Sequence, residues 1–223
     1  MTGNATGLPD AEHYTTATDI LTLANAIIRE FPDYYRWYSE KEFTWNGITQ
    51  SNRNGLLWRD STVDGMKTGF TDTAGYCLVS SALRDDMRLV AVVLGTDSPA
   101  ARERESQTLL NYGYRFYETK LLLQGGKALS EARVWKGETQ RVEVGVRRNV
   151  WVTVPRGTVD QLKPTYTLPV QLMAPLDPAT ELGKVRVTLG DTTIAETGLY
   201  PLKPVATGSL WQQGRDWVLL WFE

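Results

Sequence analysis

Lys67-Thr68-Gly69, within "STVDGMKTGFTDTAGYCLVSSAL" (Ser61 to Leu83), puts an ammonium, a hydroxyl and a position without a side chain on consecutive residues, just ahead of a run that reads as a strand. An ammonium and a hydroxyl are donors suited to a carboxylate, and a glycine lets another chain lie close to the backbone. By residue usage alone such a triplet arises in roughly one chain in twenty of this length, so a solvated turn before a strand is the plain alternative, and context must decide. Composition narrows the chemistry further. The single cysteine, Cys77, excludes an internal disulfide and a cysteine-ligated cluster, and the single histidine, His13, excludes a histidine-rich metal site. Chemistry in this chain is therefore expected to run on Ser, Thr, Lys, Arg and carboxylates, with no metal and no cofactor.

The elements that must hold the triplet follow from periodicity. With 223 residues, 42% apolar and 22% charged, the chain can bury a real core and is long enough for two domains. The formal net charge is -2 and no Lys/Arg block stands out, so nucleic acid is not an expected partner. Thr16-Ala17-Thr18-Asp19 resembles a capping box, and Ile20, Leu23, Ala24, Ile27, Ile28 and Phe31 then recur at helical spacing up to Pro32. Asn46-Gly47 in "KEFTWNGITQSN" signals a hairpin. Two apolar strands, about Tyr76 to Leu83 and Leu89 to Leu94, are joined by the turn Arg84-Asp85-Asp86. Ser98-Pro99 then opens a helix with Leu109, Leu110, Tyr114 and Tyr117 on its apolar side. That order is α+β.

After about Thr119 short alternating runs separated by Gly, Pro and Asp turns replace helical periods, which predicts a small all-β sandwich domain. In the last segment Leu210, Trp211, Trp217, Val218, Trp221 and Phe222 approximate one helical stripe. Tryptophan on such a stripe suits a membrane interface; packing of Trp211, Trp217 and Trp221 on the β domain is the alternative. The division expected is 1–118, 119–205 and 206–223. The chain begins "MTGNATGLPD", without the basic start and apolar core of a signal peptide, and no apolar run is long enough to span a bilayer. That start reads as the middle of a domain.

The stretches "NRNGLLWRDSTVDGMKTGFTDTAGYCLVSSA", "YTTATDILTLANAIIREFPDYYRWYSEKEFTWNGITQ" and "RESQTLLNYGYRFYET", taken in order, resemble the D-alanyl-D-alanine carboxypeptidases among the low-molecular-mass penicillin-binding proteins. The resemblance runs from Ala5 to about Tyr200 and includes the β domain, with an amphipathic anchor segment after it. It implies acyl transfer: a serine attacks the D-Ala-D-Ala peptide bond of a peptidoglycan stem peptide, D-alanine leaves, and water cleaves the ester. By the same resemblance Lys67 supplies positive charge beside the nucleophile, Lys67 and Thr68 grip the terminal carboxylate, and Gly69 lets substrate add along the strand edge. The backbone N–H of Phe70 is one of two oxyanion donors. Thr71 and Arg53 are further candidates for positioning the carboxylate, with a surface salt bridge as the alternative for Arg53. The partners implied are D-Ala-D-Ala stem peptides, β-lactams for the complete protein, and the inner-membrane surface through the C-terminal helix, in the periplasm.

Two features depart from the pattern. Phe70 stands where a histidine often follows the glycine. No serine is followed three residues later by lysine, and no Ser-x-Asn triplet occurs. The nucleophile is thus expected to be missing, the chain to be inactive alone, and an apolar surface to be left open. A non-catalytic peptidoglycan- or protein-binding module at the membrane is the rival reading; a β-lactamase is a third, which needs neither the β domain nor the anchor. Elsewhere plain readings are expected: His13 at the surface, Cys77 buried in its strand, Asp85-Asp86 as a turn, and "ARERES" as a solvated helix start.

Overall fold

The computed structural model describes residues 6, 10 and 12–221; Phe222, counted in the tryptophan stripe, lies outside them. The chain divides into two compact units, Met1–Tyr117 and Glu118–Glu223. The first is α+β: α1 (Ala17–Glu30), α2 (Pro32–Tyr35), a hairpin of β1 (Glu42–Trp45) and β2 (Ile48–Ser51), α3 (Leu56–Arg59), three strands β3 (Val63–Thr71), β4 (Gly75–Arg84) and β5 (Met87–Thr96), and α4 (Pro99–Phe116). The signals in the sequence act as expected at several ends. Thr16 Oγ1 accepts from the Asp19 N–H (3.1 Å) while Asp19 Oδ2 accepts from the Thr16 N–H (3.2 Å), closing the capping box. Asn46 and Gly47 both have positive φ, 49° and 74°, as a two-residue hairpin whose twist matches its strands requires. Ser98 Oγ accepts from the Ala101 N–H at 3.1 Å and starts α4.

β3, β4 and β5 form an antiparallel sheet in that order, so β3 is an outer strand. A core of Leu56, Leu57, Val63, Leu78, Ala82, Ala91 and Leu110 joins α3 and α4 to the sheet, and Ala24, Tyr35 and Met66 form a second cluster with α1 and α2. α4 differs from its expected packing. Leu110 is buried and the half-buried Tyr114 donates to the Ala82 carbonyl at 2.6 Å, but Leu109 is exposed and Tyr117 lies past the helix end. The buried stripe runs backward through Leu110, Ser106 and Arg102, one residue in four, with Glu103 beside it. "ARERES" is therefore not a solvated face. Close packing fixes this choice: a Cβ on Gly113 would collide with Leu89. Cys77 is half-buried, not fully enclosed.

Two polar networks tie the sheet across its strands. Arg88 on β5 reaches over β4, donating to Ser81 Oγ (2.7 Å) and to both Asp64 oxygens on β3 (2.9 and 2.8 Å). Tyr35 donates to Asp64 Oδ1 at 2.7 Å, and burial, helped by the Asp64 charge, pushes its phenol above the ordinary value. At the same end of the sheet, Asp60, just ahead of β3, pairs with Arg84 (2.8 Å) and accepts from Thr62 and Gln107. A surface of α1, α2 and the hairpin stays apolar and open, with Leu23, Phe31, Trp37, Phe43, Trp45 and Ile48 all exposed.

The second unit is all-β apart from its last helix. Six strands order as β10 (Leu162–Thr167), β12 (Gly183–Leu189), β13 (Thr192–Pro201), β8 (Arg141–Gly145), β7 (Ala128–Trp135) and β11 (Leu172–Met173), and β6 (Tyr117–Leu123) pairs with β9 (Val150–Pro155) in a second sheet. Residues of both sheets share their cores, Leu123 with Val134 and Val144, and Val152 and Val154 with Leu162 and Val187, which makes the unit a small sandwich. α5 (Leu210–Leu219) follows.

Asp60 makes the stability of the first unit pH-dependent. Burial raises its carboxyl, but hydrogen bonds from Thr62, Gln107 and Arg84 outweigh that and hold it at about 2. A depressed folded value means the contribution is complete above the ordinary carboxylate value, about 4, and is lost as pH falls toward 2. Asp60→Asn is expected to cost on the order of 2 kcal/mol at neutral pH and to lose less stability than the parent chain between pH 4 and 2, read by urea unfolding at each pH; parallel acid limbs would sink the assignment.

Candidate functional site

β3 carries Lys67, Thr68, Gly69 and Phe70 opposite Val79, Leu78, Cys77 and Tyr76 of β4. Its first half is held from behind: the buried Asn54 donates to the Gly65 carbonyl (3.0 Å) and accepts from the Leu56 N–H (3.3 Å), linking β3 to α3. Gly65 must be glycine, because a Cβ there would lie 2.7 Å from the Tyr35 hydroxyl oxygen. The second half of β3 is open. Lys67, Gly69 and Phe70 are exposed and Thr68 is half-buried, with no strand outside β3 among the described residues.

These residues line a cleft of about 870 Å³ with Arg53, Tyr76 and Arg102. Arg102 is 5% exposed. Its guanidinium donates to the Gly69 carbonyl at 3.3 Å and to the Arg53 carbonyl at 3.2 Å, so one side chain of α4 ties the β3 edge to the loop after β2. Glu103 secures the same loop, accepting from the Gly55 N–H at 3.2 Å and pairing with Arg59 at 3.0 Å. Tyr76 lies under the Arg102 guanidinium (5.7 Å to the ring centroid) and packs against Phe70 at 4.3 Å between centroids, the rings tilted by 31°.

The cleft is electropositive. Arg53, Lys67 and Arg102 line it and, among the described residues, no carboxylate does, so it suits an anionic group brought in by an extended ligand. Lys67 Nζ donates to the Thr68 carbonyl at 2.6 Å, at the surface. The Arg53 side chain is exposed, with no ion pair among the described residues. Thr71 lies outside the lining, its hydroxyl accepting from the Ala74 N–H at 3.0 Å in the turn between β3 and β4.

Two residues that shape the cleft, Arg102 and Tyr76, are absent from the sequence-based set. Tyr76 sits in an apolar run and carries no separate signal. Arg102 does carry one: counting back from Leu110 by fours passes through Ser106 to Arg102, which places a cation on the buried stripe of α4.

Residues 2–98 match the D-alanyl-D-alanine carboxypeptidase family, and residues 117–207 match the penicillin-binding protein 5 C-terminal domain. D-alanyl-D-alanine carboxypeptidase DacA of Escherichia coli (strain K12) is 42% identical over 218 residues, 97% of this chain and 54% of the relative. D-alanyl-D-alanine carboxypeptidase DacD of the same organism is 38% identical over 213 residues, 95% of this chain and 55% of the relative. Among solved structures, penicillin binding protein 5 from Haemophilus influenzae aligns with a TM-score of 0.79 at 42% identity, covering 89% of this chain and 59% of that one. The chain spans about half the length of the curated relatives it matches.

The Arg102 geometry is specific to a planar fork, since a lysine ammonium cannot span two separate carbonyls in the same way. Arg102→Lys is expected to lower unfolding stability by on the order of 2 kcal/mol, nearly as much as Arg102→Ala, in denaturant titrations with an unchanged slope. A lysine variant as stable as the parent would show that charge alone is what the site requires.

Proposed function

Because the chain belongs to the D-alanyl-D-alanine carboxypeptidase family, with residues 117–207 forming the C-terminal domain of the penicillin-binding protein 5 type, we propose that Lys67, Thr68, Gly69 and Phe70 form one wall of a serine acyl-transfer site for peptidoglycan stem peptides ending in D-Ala-D-Ala. The observation that carries this reading is the electropositive cleft along a free strand edge. An extended peptide adds beside β3 with its terminal carboxylate against Lys67 Nζ and Thr68 Oγ1, and Gly69 leaves room for its backbone. Arg53 lends charge from the rim, and Arg102 positions the edge through the Gly69 carbonyl. The Phe70 N–H polarises the scissile carbonyl as one of two oxyanion donors. Thr71 shapes the turn that ends this edge.

The 223 residues contain no Ser-x-x-Lys and no Ser-x-Asn. The attacking serine, its lysine partner and the second catalytic serine are then contributed by sequence outside these residues, and the chain by itself is inactive; β-lactams acylate the complete protein. The same observation favours a second reading, in which the grip acts without hydrolysis as a peptidoglycan- or protein-binding module. In either case the working parts are 1–118 for the peptidase wall, 119–205 for the β domain and 206–223 for contact with the periplasmic surface of the inner membrane. No described helix is long and apolar enough to cross a membrane. The stripe of α5 nevertheless points outward, Leu210 and Trp211 being 87% and 88% exposed, which supports contact with a lipid interface over packing on the β domain.

Fluorescent penicillin is expected to leave this chain unlabelled and to label a chain extended upstream with a Ser-x-x-Lys segment; labelling of the chain as it stands would disprove the missing nucleophile. In NMR titrations a peptide ending in D-Ala-D-Ala is expected to shift amides of β3, with about tenfold weaker binding for Lys67→Ala. Equal affinity in the two proteins would remove Lys67 from the grip.

A further inference from the structure

α5 turns its polar side toward its own domain. Asp216 is 3% exposed; its Oδ2 accepts from the Lys136 N–H at 2.7 Å, just past the end of β7, and its Oδ1 accepts from Arg215 at 2.9 Å. One turn earlier Gln212 donates to the Glu138 carbonyl at 3.3 Å. The segment leading into α5 is stitched to the same loop, with the Gly208 N–H donating to the Lys136 carbonyl (2.8 Å) and the Glu138 N–H to the Ala206 carbonyl (2.9 Å). Burial raises the Asp216 carboxyl, yet the Lys136 and Arg215 donors outweigh it and hold it below the usual range. The opposite side carries Leu210, Trp211, Trp217, Val218 and Trp221, all exposed, with the last two indoles stacked at 6.3 Å.

A helix that served only as a flexible tether would have no use for a buried carboxylate aimed at a main-chain N–H eighty residues away. A carboxylate withdrawn from water is stable only where donors replace the lost hydration. The donors here come from the loop after β7, so the helix keeps them only while it stays docked. Arg215 is already paired with Asp216, and α5 carries no other basic residue. The outward face is thus indole-rich, with Arg215 beside Leu210, Trp211 and Val218 as its one charge, already paired to Asp216, and it suits a zwitterionic bilayer interface and not an anionic surface in particular.

We propose that α5 is clamped to the β sandwich through Asp216 and Lys136, so that its tryptophan face is a rigid plate and contact with a bilayer fixes how the sandwich stands on the membrane. This rests on the reading of α5 as the membrane-contact segment. The clamp determines orientation; the indoles supply affinity.

The test uses the full chain, as the parent and as Asp216→Ala, each also carrying Cys77→Ser and a dye attached after Thr165→Cys on β10. Amide exchange at Lys136 is expected to speed up by at least about tenfold in Asp216→Ala, with amides of β12 and β13 unchanged. On phosphatidylcholine vesicles containing an acceptor lipid, the parent is expected to give one narrow dye-to-bilayer distance. Asp216→Ala should give a broad one, with partitioning within about threefold of the parent. Unchanged exchange at Lys136, or the same narrow distance in both proteins, overturns the clamp. Failure of the parent to bind vesicles, or its concentration-dependent self-association through α5 in sedimentation, instead overturns the membrane reading and leaves the clamp to be judged by exchange alone. Should Asp216→Ala not fold, Gln212→Ala, which removes the Glu138 contact together with the Gln212 half of the capping box with Ser209, is expected to speed Lys136 exchange by a smaller factor, and no change there counts against the proposal.

Discussion

The cleft depends on one buried cation. Arg102 donates to the carbonyls of Gly69 and Arg53, one on the outer strand β3 and the other in the loop after β2. A guanidinium suits the task because its donors diverge in a plane and it keeps its charge at any ordinary pH. The arrangement leaves the exposed edge of β3 ordered but unpaired, and the same residue adds to the positive lining of the cleft.

Placing a cation at that point has consequences along α4. Its sheet-facing stripe is polar where it meets the cleft, through Arg102, Glu103 and Ser106, and apolar further on, through Leu110 and Tyr114. The helix thus serves as wall at one end and core at the other. Asp60 and Asp64 compensate at the start of β3, where Arg84 of β4 binds the first and Arg88 of β5 reaches over β4 to the second. These pairs link the strands of a sheet that has three strands among the described residues and whose α1 and hairpin side remains open.

In the second unit the same physics appears in reverse. The sandwich buries its aliphatic residues between two sheets, as alternation dictates, while α5 is held by a buried carboxylate and exposes its apolar residues. An amphipathic helix normally turns the apolar stripe inward. Here a main-chain N–H at Lys136 is available to receive Asp216, and the indoles are left facing out.

Local signals made much of this legible. The capping box at Thr16, the Asn46-Gly47 hairpin, the Ser98-Pro99 helix start and the alternation after Thr119 each depend on neighbours within a few residues, so the sequence alone determined those elements, the α+β class of the first unit and the β class of the second, while Lys67-Thr68-Gly69, expected just ahead of a strand, lies within β3. It also supplied Lys67-Thr68-Gly69 as a triplet, and the order of segments that points to the family. What it left undecided involves partners distant along the chain. Whether Arg102 is solvated or buried depends on carbonyls 33 and 49 residues away, and whether the tryptophans of α5 face in or out depends on an N–H 80 residues away. A helical period states that two faces differ; only the tertiary structure decides which face finds its donors and acceptors, because desolvating a charged group is tolerable only where those partners already stand.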